Sequence, residues 1–115
     1  MGMSLAGKLQ IPDGQAVRVI NPPARFQVDA PITTDSQGAV LLFAADSKTL
    51  KRIGRPVFEA AKADRLAWIA YPKAGQLGTD LNRDILWKTL EPLGIGAVRQ
   101  ISIDDTWSAM RFRPQ

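Results

Sequence analysis

With 115 residues, 45% of them apolar and 23% charged, the chain has the size and balance of one ordinary globular domain, with no room for a second independent core. The absence of cysteine and histidine excludes disulfides, thiolate metal sites and a cysteine nucleophile, and removes the commonest general base and metal ligand. A net charge of +4 favours anions in general, but Arg52, Arg55, Arg99, Arg111 and Arg113 are scattered, with no basic run and no aromatic-interleaved stripe, so a solvated surface is preferred over nucleic-acid binding.

No apolar run nears the ~18 residues of a membrane span, and the opening Met1-Gly2-Met3-Ser4-Leu5 has neither a charged n-region nor a long apolar h-region. The expectation is a cytoplasmic protein that does not enter a membrane. Residues 1–15 read as an N-terminal extension in which Pro12-Asp13-Gly14 ends a short amphipathic turn. Ala16 to Ile20 fits a first strand, stopped by Pro22-Pro23, neither of which can donate to a ladder. Residues 24–38, with Ala30-Pro31 and Ser36-Gln37-Gly38 as turn signals, form an irregular connection.

Ala39 to Ala44 is a continuous apolar run, the pattern of a strand covered on both faces. Asp46 and Ser47 start a helix that sets Leu50, Ile53, Val57 and Ala61 on one face, with a kink or break predicted at Gly54 and Pro56. Leu66 to Tyr71 is a second buried strand. After the loop Pro72 to Gly78, Thr79-Asp80 offers an N-cap for a helix with an inward stripe of Leu86, Leu90 and Leu93, ended by Pro92 and Gly94. Val98 to Ile103 is a strand, Asp104-Asp105 a turn, and Thr106 to Phe112 returns; so short a connection permits only an antiparallel pair. The earlier connections are expected to be right-handed helical crossovers. The result is a single α/β, Rossmann-like, three-layer domain over residues 1–115, its five-stranded mixed sheet ordered 1-2-3-5-4 with the last strand antiparallel. Its first strand lies at an open edge that needs cover from residues 24–38 or from a second subunit, which motivates a homodimer.

That final antiparallel return resembles the C-terminal half of the Rossmann-like methyltransferase fold, from about Ala39 onward. The segments Trp68-Ile69-Ala70-Tyr71-Pro72-Lys73, Thr79-Asp80-Leu81-Asn82-Arg83-Asp84 and Asp104-Asp105-Thr106-Trp107-Ser108-Ala109, with Arg111-Phe112-Arg113, together look like a small bacterial family of uncharacterised proteins, a domain of unknown function that implies a fold but no activity. Methyltransferases of this fold carry a glycine-rich turn after the first strand for S-adenosylmethionine. Here that turn is Asn21-Pro22-Pro23, in which proline blocks backbone donors. No cofactor is expected.

In open parallel sheets ligands collect at the carboxyl ends of the strands. That edge gathers Asn21, Lys73, Thr79, Asp80, Asp104, Asp105 and Trp107 as candidate ligand-binding residues. Lys73 could pair with a small anion, aided by the amides after Thr79; the plainer reading has Thr79 or Asp80 capping the helix and Lys73 meeting an aspartate. Asp104 and Asp105 beside Asp80 or Asp84 could hold a divalent cation, though adjacent aspartates in a turn more often bind local amides, and no metal site is assigned. Trp68 and Trp87 fit core packing or partial burial, leaving Trp107 as the tryptophan to line a pocket. Arg83 is placed to pair with Asp80, Asp84 or Asp104. No residue is assigned as catalytic. The favoured function is a non-catalytic module recognising a small anionic ligand or a protein partner. The alternatives are an enzyme using Lys73 and the carboxylates, and a weak nucleic-acid binder.

Overall fold

The computed structural model describes residues 4–35 and 37–115; Met1 to Met3 of the opening segment and Ser36 of the Ser36-Gln37-Gly38 turn lie outside the described residues. The elements run α1 (Leu5–Lys8), β1 (Val17–Ile20), β2 (Ala39–Phe43), α2 (Ser47–Ile53), α3 (Arg55–Lys62), β3 (Ala67–Pro72), α4 (Arg83–Leu90), a 3-10 turn (Glu91–Leu93), β4 (Ile95–Ser102) and β5 (Trp107–Pro114). The sheet order is β1-β2-β3-β5-β4. Strands β1, β2 and β3 pair in parallel, and β5 runs antiparallel to both β3 and β4, as the sequence pattern implies.

The unbroken apolar runs of β2 and β3 are buried residue for residue, because alternating side chains serve two separate cores. Val40, Leu42, Ile69 and Tyr71 face α2, α3 and α4, which contribute Leu50, Val57, Ala61, Leu86 and Leu90. Leu41, Phe43, Trp68 and Ala70 face the other way, onto Ala6, Leu9 and Ile11 of the N-terminal segment and Phe26 and Val28 of the connection after β1. The three layers are therefore present, with an outer layer on this second side made mostly of irregular chain. The N-terminal extension is part of the core: Trp68 Nε1 donates to the Leu9 carbonyl at 2.9 Å in a buried hydrogen bond.

Several expectations need correction. Among the described residues the β1–β2 connection contains no helix, so it is not a helical crossover. Its residues 31–33 instead run along the outer edge of β1. Val17 N donates to the Pro31 carbonyl and Thr33 N to the Val17 carbonyl, so of the two covers expected for the β1 edge, residues 24–38 or a second subunit, the chain's own segment supplies part. The break expected at Gly54 and Pro56 is present: the helix after Asp46 is two helices, α2 and α3, parted at Gly54. A Cβ there would lie 2.4 Å from the Leu50 carbonyl oxygen and 2.4 Å from the Phe58 ring, and only glycine admits so close an approach. Leu93 leaves the α4 stripe and is 37% exposed in the 3-10 turn. Gly94, at φ 81°, turns the chain directly into β4, which therefore begins at Ile95, three residues before the predicted start.

The chain crosses the sheet in one direction, β1 to β2 to β3 to β4, and β5 fills the gap between β3 and β4. The parallel strands advance in one direction only and the single step back, β4 to β5, is an antiparallel hairpin, so the parallel part of the sheet lacks the switch point that opens a ligand crevice in doubly wound folds. Because β3 and β4 stand two strand spacings apart, roughly 10 Å, the connection through α4 must bridge over β5. A concavity lies beside that bridge, between β3 and the start of α4.

Among the described residues no helix is long and apolar enough to cross a membrane.

Candidate functional site

The cleft lies on the helical face at the carboxyl end of β3. Its volume is about 460 Å³, and Tyr71, Lys73, Asn82, Arg83, Gln100 and Ser108 are among its lining residues. The floor comes from three neighbouring strands: Tyr71 pairs with Ser108, and Ser108 with Ser102. Tyr71 is 4% exposed, and its hydroxyl accepts from Gln100 Nε2 at 2.9 Å. Burial pushes the phenol above its ordinary pKa, with Arg83 and the Gln100 hydrogen bond opposing. It therefore enters the cleft as a neutral hydroxyl able to donate.

Lys73 forms one wall. Its backbone amide donates to the Thr106 carbonyl at 2.8 Å, and its Nζ donates to Ser102 Oγ at 2.7 Å. The expected aspartate partner is absent, since among the described residues Lys73 makes no salt bridge. The other wall is the start of α4. Its cap is Asn82, whose side chain accepts from Ile85 N at 2.8 Å, rather than Thr79 or Asp80. Arg83 follows at the first helical position and makes no salt bridge among the described residues, contrary to the pairing expected of it. Asp84 brings one negative charge to the rim.

The remaining candidates act elsewhere. Asn21, at φ 57°, donates from Nδ2 to the Phe43 carbonyl and ties the ends of β1 and β2. Thr79 Oγ1 accepts from Leu81 N within its own loop. Asp80 Oδ1 accepts from Ser47 N at 2.8 Å, and that amide holds its carboxyl below the usual range. Asp104 Oδ1 accepts from the amides of Thr106 and Trp107, both at 2.8 Å, the turn-forming role weighed against a cation site. Asp105 is exposed beside it. Among the described residues no group of three or more carboxylates could hold a metal ion. Trp107 is not in the cleft. It is 7% exposed in the second core and meets the Phe43 ring edge-on at 5.0 Å.

Of the sequence candidates only Lys73 lines the cleft. Asn82, Arg83, Tyr71, Gln100 and Ser108 were missed as site residues. Alternation along β5 sets Ser108 on the other face of the strand from Trp107, and Asn82 three residues before Ile85 is an N-cap signal as good as Thr79.

Compared with protein-family models, curated proteins and solved structures, the chain matches none.

Proposed function

We propose that the protein is a non-catalytic module that binds a small anionic ligand in the cleft between β3 and α4, on a degenerate methyltransferase-like fold. The observation that carries this reading is the placing of Lys73 and Arg83, neither in a salt bridge among the described residues, on opposite walls of one concavity. The amide end of α4 and the neutral Tyr71 hydroxyl add hydrogen-bond donors there. A carboxylate or phosphate of metabolite size matches that set, and the volume suits a small molecule. Binding is favoured over catalysis because the carboxylates of Asp80 and Asp104 are engaged by backbone amides. The cover that residues 31–33 give to β1 weakens the geometric motive for a homodimer.

The test is thermal melting of the wild-type protein and of Lys73→Ala and Arg83→Ala against nucleotides, S-adenosyl compounds, phosphorylated metabolites and small carboxylates. A ligand about a hundredfold above its dissociation constant stabilises by ~2.7 kcal/mol. The reading expects such a shift for one class of anion, reduced in both variants. A panel without any shift, or a shift unchanged in both variants, removes it.

A further inference from the structure

We propose that Arg99 and Arg111, on the sheet face opposite the cleft, form a docking site for a phosphoryl group. The two residues are directly opposite each other in the antiparallel β4–β5 pair, which puts both side chains on one face with Cβ atoms roughly 5 Å apart. Arg113, two residues further along β5, shares that face. Like charges set opposite one another weaken a sheet, so three guanidiniums together need an anion. The fold supplies only one to them among the described residues: Asp64 takes Arg113 in a two-pronged contact, Nε to Oδ1 at 2.8 Å and Nη2 to Oδ2 at 3.0 Å. Neither Arg99 nor Arg111 makes a salt bridge among the described residues.

Arg111 carries the second observation. Its Nη1 donates to Oε1 of Gln10 at 2.7 Å, an exposed side chain that an arriving anion can displace. Its Nε is buried with no hydrogen-bond partner. Burial, with the charges of Arg113 and Arg99, pulls the guanidinium below its ordinary pKa, while Asp64 opposes. The side chain is thus fixed by the fold with its donors under-used, which is costly unless another acceptor serves them. A register shift between Ala97 and Arg99 sets Arg99 against Arg111, and bulges of this kind re-aim side chains beside sites. After Asp64 the cluster retains two positive charges. A carboxylate neutralises one; a phosphate monoester, at roughly −1.5 to −2 near neutral pH, neutralises both and offers three acceptor oxygens to planar donor forks.

The test is titration of the whole protein with inorganic phosphate at ionic strength held constant with sodium chloride, following backbone amides of β4 and β5 and the arginine Nε–H signals by NMR. The expected result is saturable shifts centred on Arg99, Arg111 and Arg113, at least fivefold weaker binding in Arg99→Gln, and no change in Lys51→Ala, an exposed lysine of α2 on the other side of the sheet. Arg99→Gln is also expected to melt higher than wild type in phosphate-free buffer, because it relieves the repulsion, which keeps the test valid if Arg111→Gln does not fold. Phosphoserine and a ten-nucleotide single-stranded RNA then separate the sources of the group. Phosphoserine as tight as the RNA indicates a free phosphorylated compound; tighter RNA with a salt slope of several phosphates indicates a nucleic-acid backbone. Shifts no larger than those from chloride alone, or equal in Arg99→Gln, overturn the proposal.

Discussion

The Asp80 carboxylate and the Ser47 backbone amide are joined by a 2.8 Å hydrogen bond that fastens the loop after β3 to the first turn of α2. Asp46 caps the same turn through Thr49 N at 2.7 Å, so two neighbouring carboxylates serve two separate amides of one helix. Asp80→Ala is therefore expected to lower the urea midpoint more than Asp80→Asn, whose amide oxygen can still accept. Equal midpoints in the two variants would show that the hydrogen bond contributes nothing.

Acid sensitivity follows from the same chemistry. Asp29, Asp46, Asp64 and Asp80 all have carboxyls held below the ordinary value, chiefly by the Ala6 amide, the Thr49 amide, the Arg113 guanidinium and the Ser47 amide respectively. A depressed carboxylate stabilises the fold above its unfolded pKa of about 3.9, and that contribution fades as pH falls through the lower folded value. The melting temperature is expected to drop steadily below about pH 4. With no histidine in the chain, it is expected to hold nearly constant between about pH 5.5 and 7. Circular dichroism melts across this range check both limbs.

Asn82 as the cap of α4 distinguishes the observed helix start from the predicted one. Asn82→Ala is expected to cost about 1 kcal/mol by chemical denaturation, the usual value of a lost N-cap. Thr79→Ala is expected to cost less, since Thr79 serves only a turn within its loop. The reverse ranking would place the helix start at Thr79.

Gly54→Ala tests the break between α2 and α3. The added methyl meets the Leu50 carbonyl, which is backbone and cannot swing aside. A loss of roughly 1–3 kcal/mol is expected, the ordinary cost of overpacking. A neutral or stabilising result would mean that the two helices can separate without penalty.

Trp107 separates core from cleft. Trp107→Ala removes its edge-on contact with Phe43 and a large buried volume, for an expected loss of about 3–5 kcal/mol. Trp107→Phe is expected to retain most of the stability and to leave the affinity of any ligand that depends on Lys73 unchanged. A selective loss of that affinity in Trp107→Phe would return Trp107 to the site.

Sheet order, strand direction and the broken helix were legible because each rests on a local signal: apolar runs at 39–44 and 66–71, two prolines after β1, a glycine and proline inside a helical stripe. The cleft was only partly legible. Lys73 stood out as a cation at a strand end, but Thr79, Asp80 and Asn82 offer three capping side chains within four residues, and tertiary contacts decide among them. Asp80 is drawn to α2, which leaves Asn82 to cap α4. Trp107 was misplaced because strand parity becomes meaningful only once pairing with Pro72 fixes which way β5 faces. The opposition of Arg99 and Arg111 depends on a register shift in β4 that no local residue pattern announces.

The position of β5 has a consequence for biosynthesis. Strand β5, fifth of the five in chain order, lies inside the sheet, and among the described residues β4 pairs with β5 alone. A nascent chain that has emerged only as far as Asp105 holds β4 without a pairing partner and β3 with one side open. It exposes the apolar surface that Met110 and Phe112 later cover. Such a chain cannot complete its sheet in the order in which the strands are made; closure waits until β5 has emerged, and until then the unpaired edges are the segments a chaperone would most readily engage.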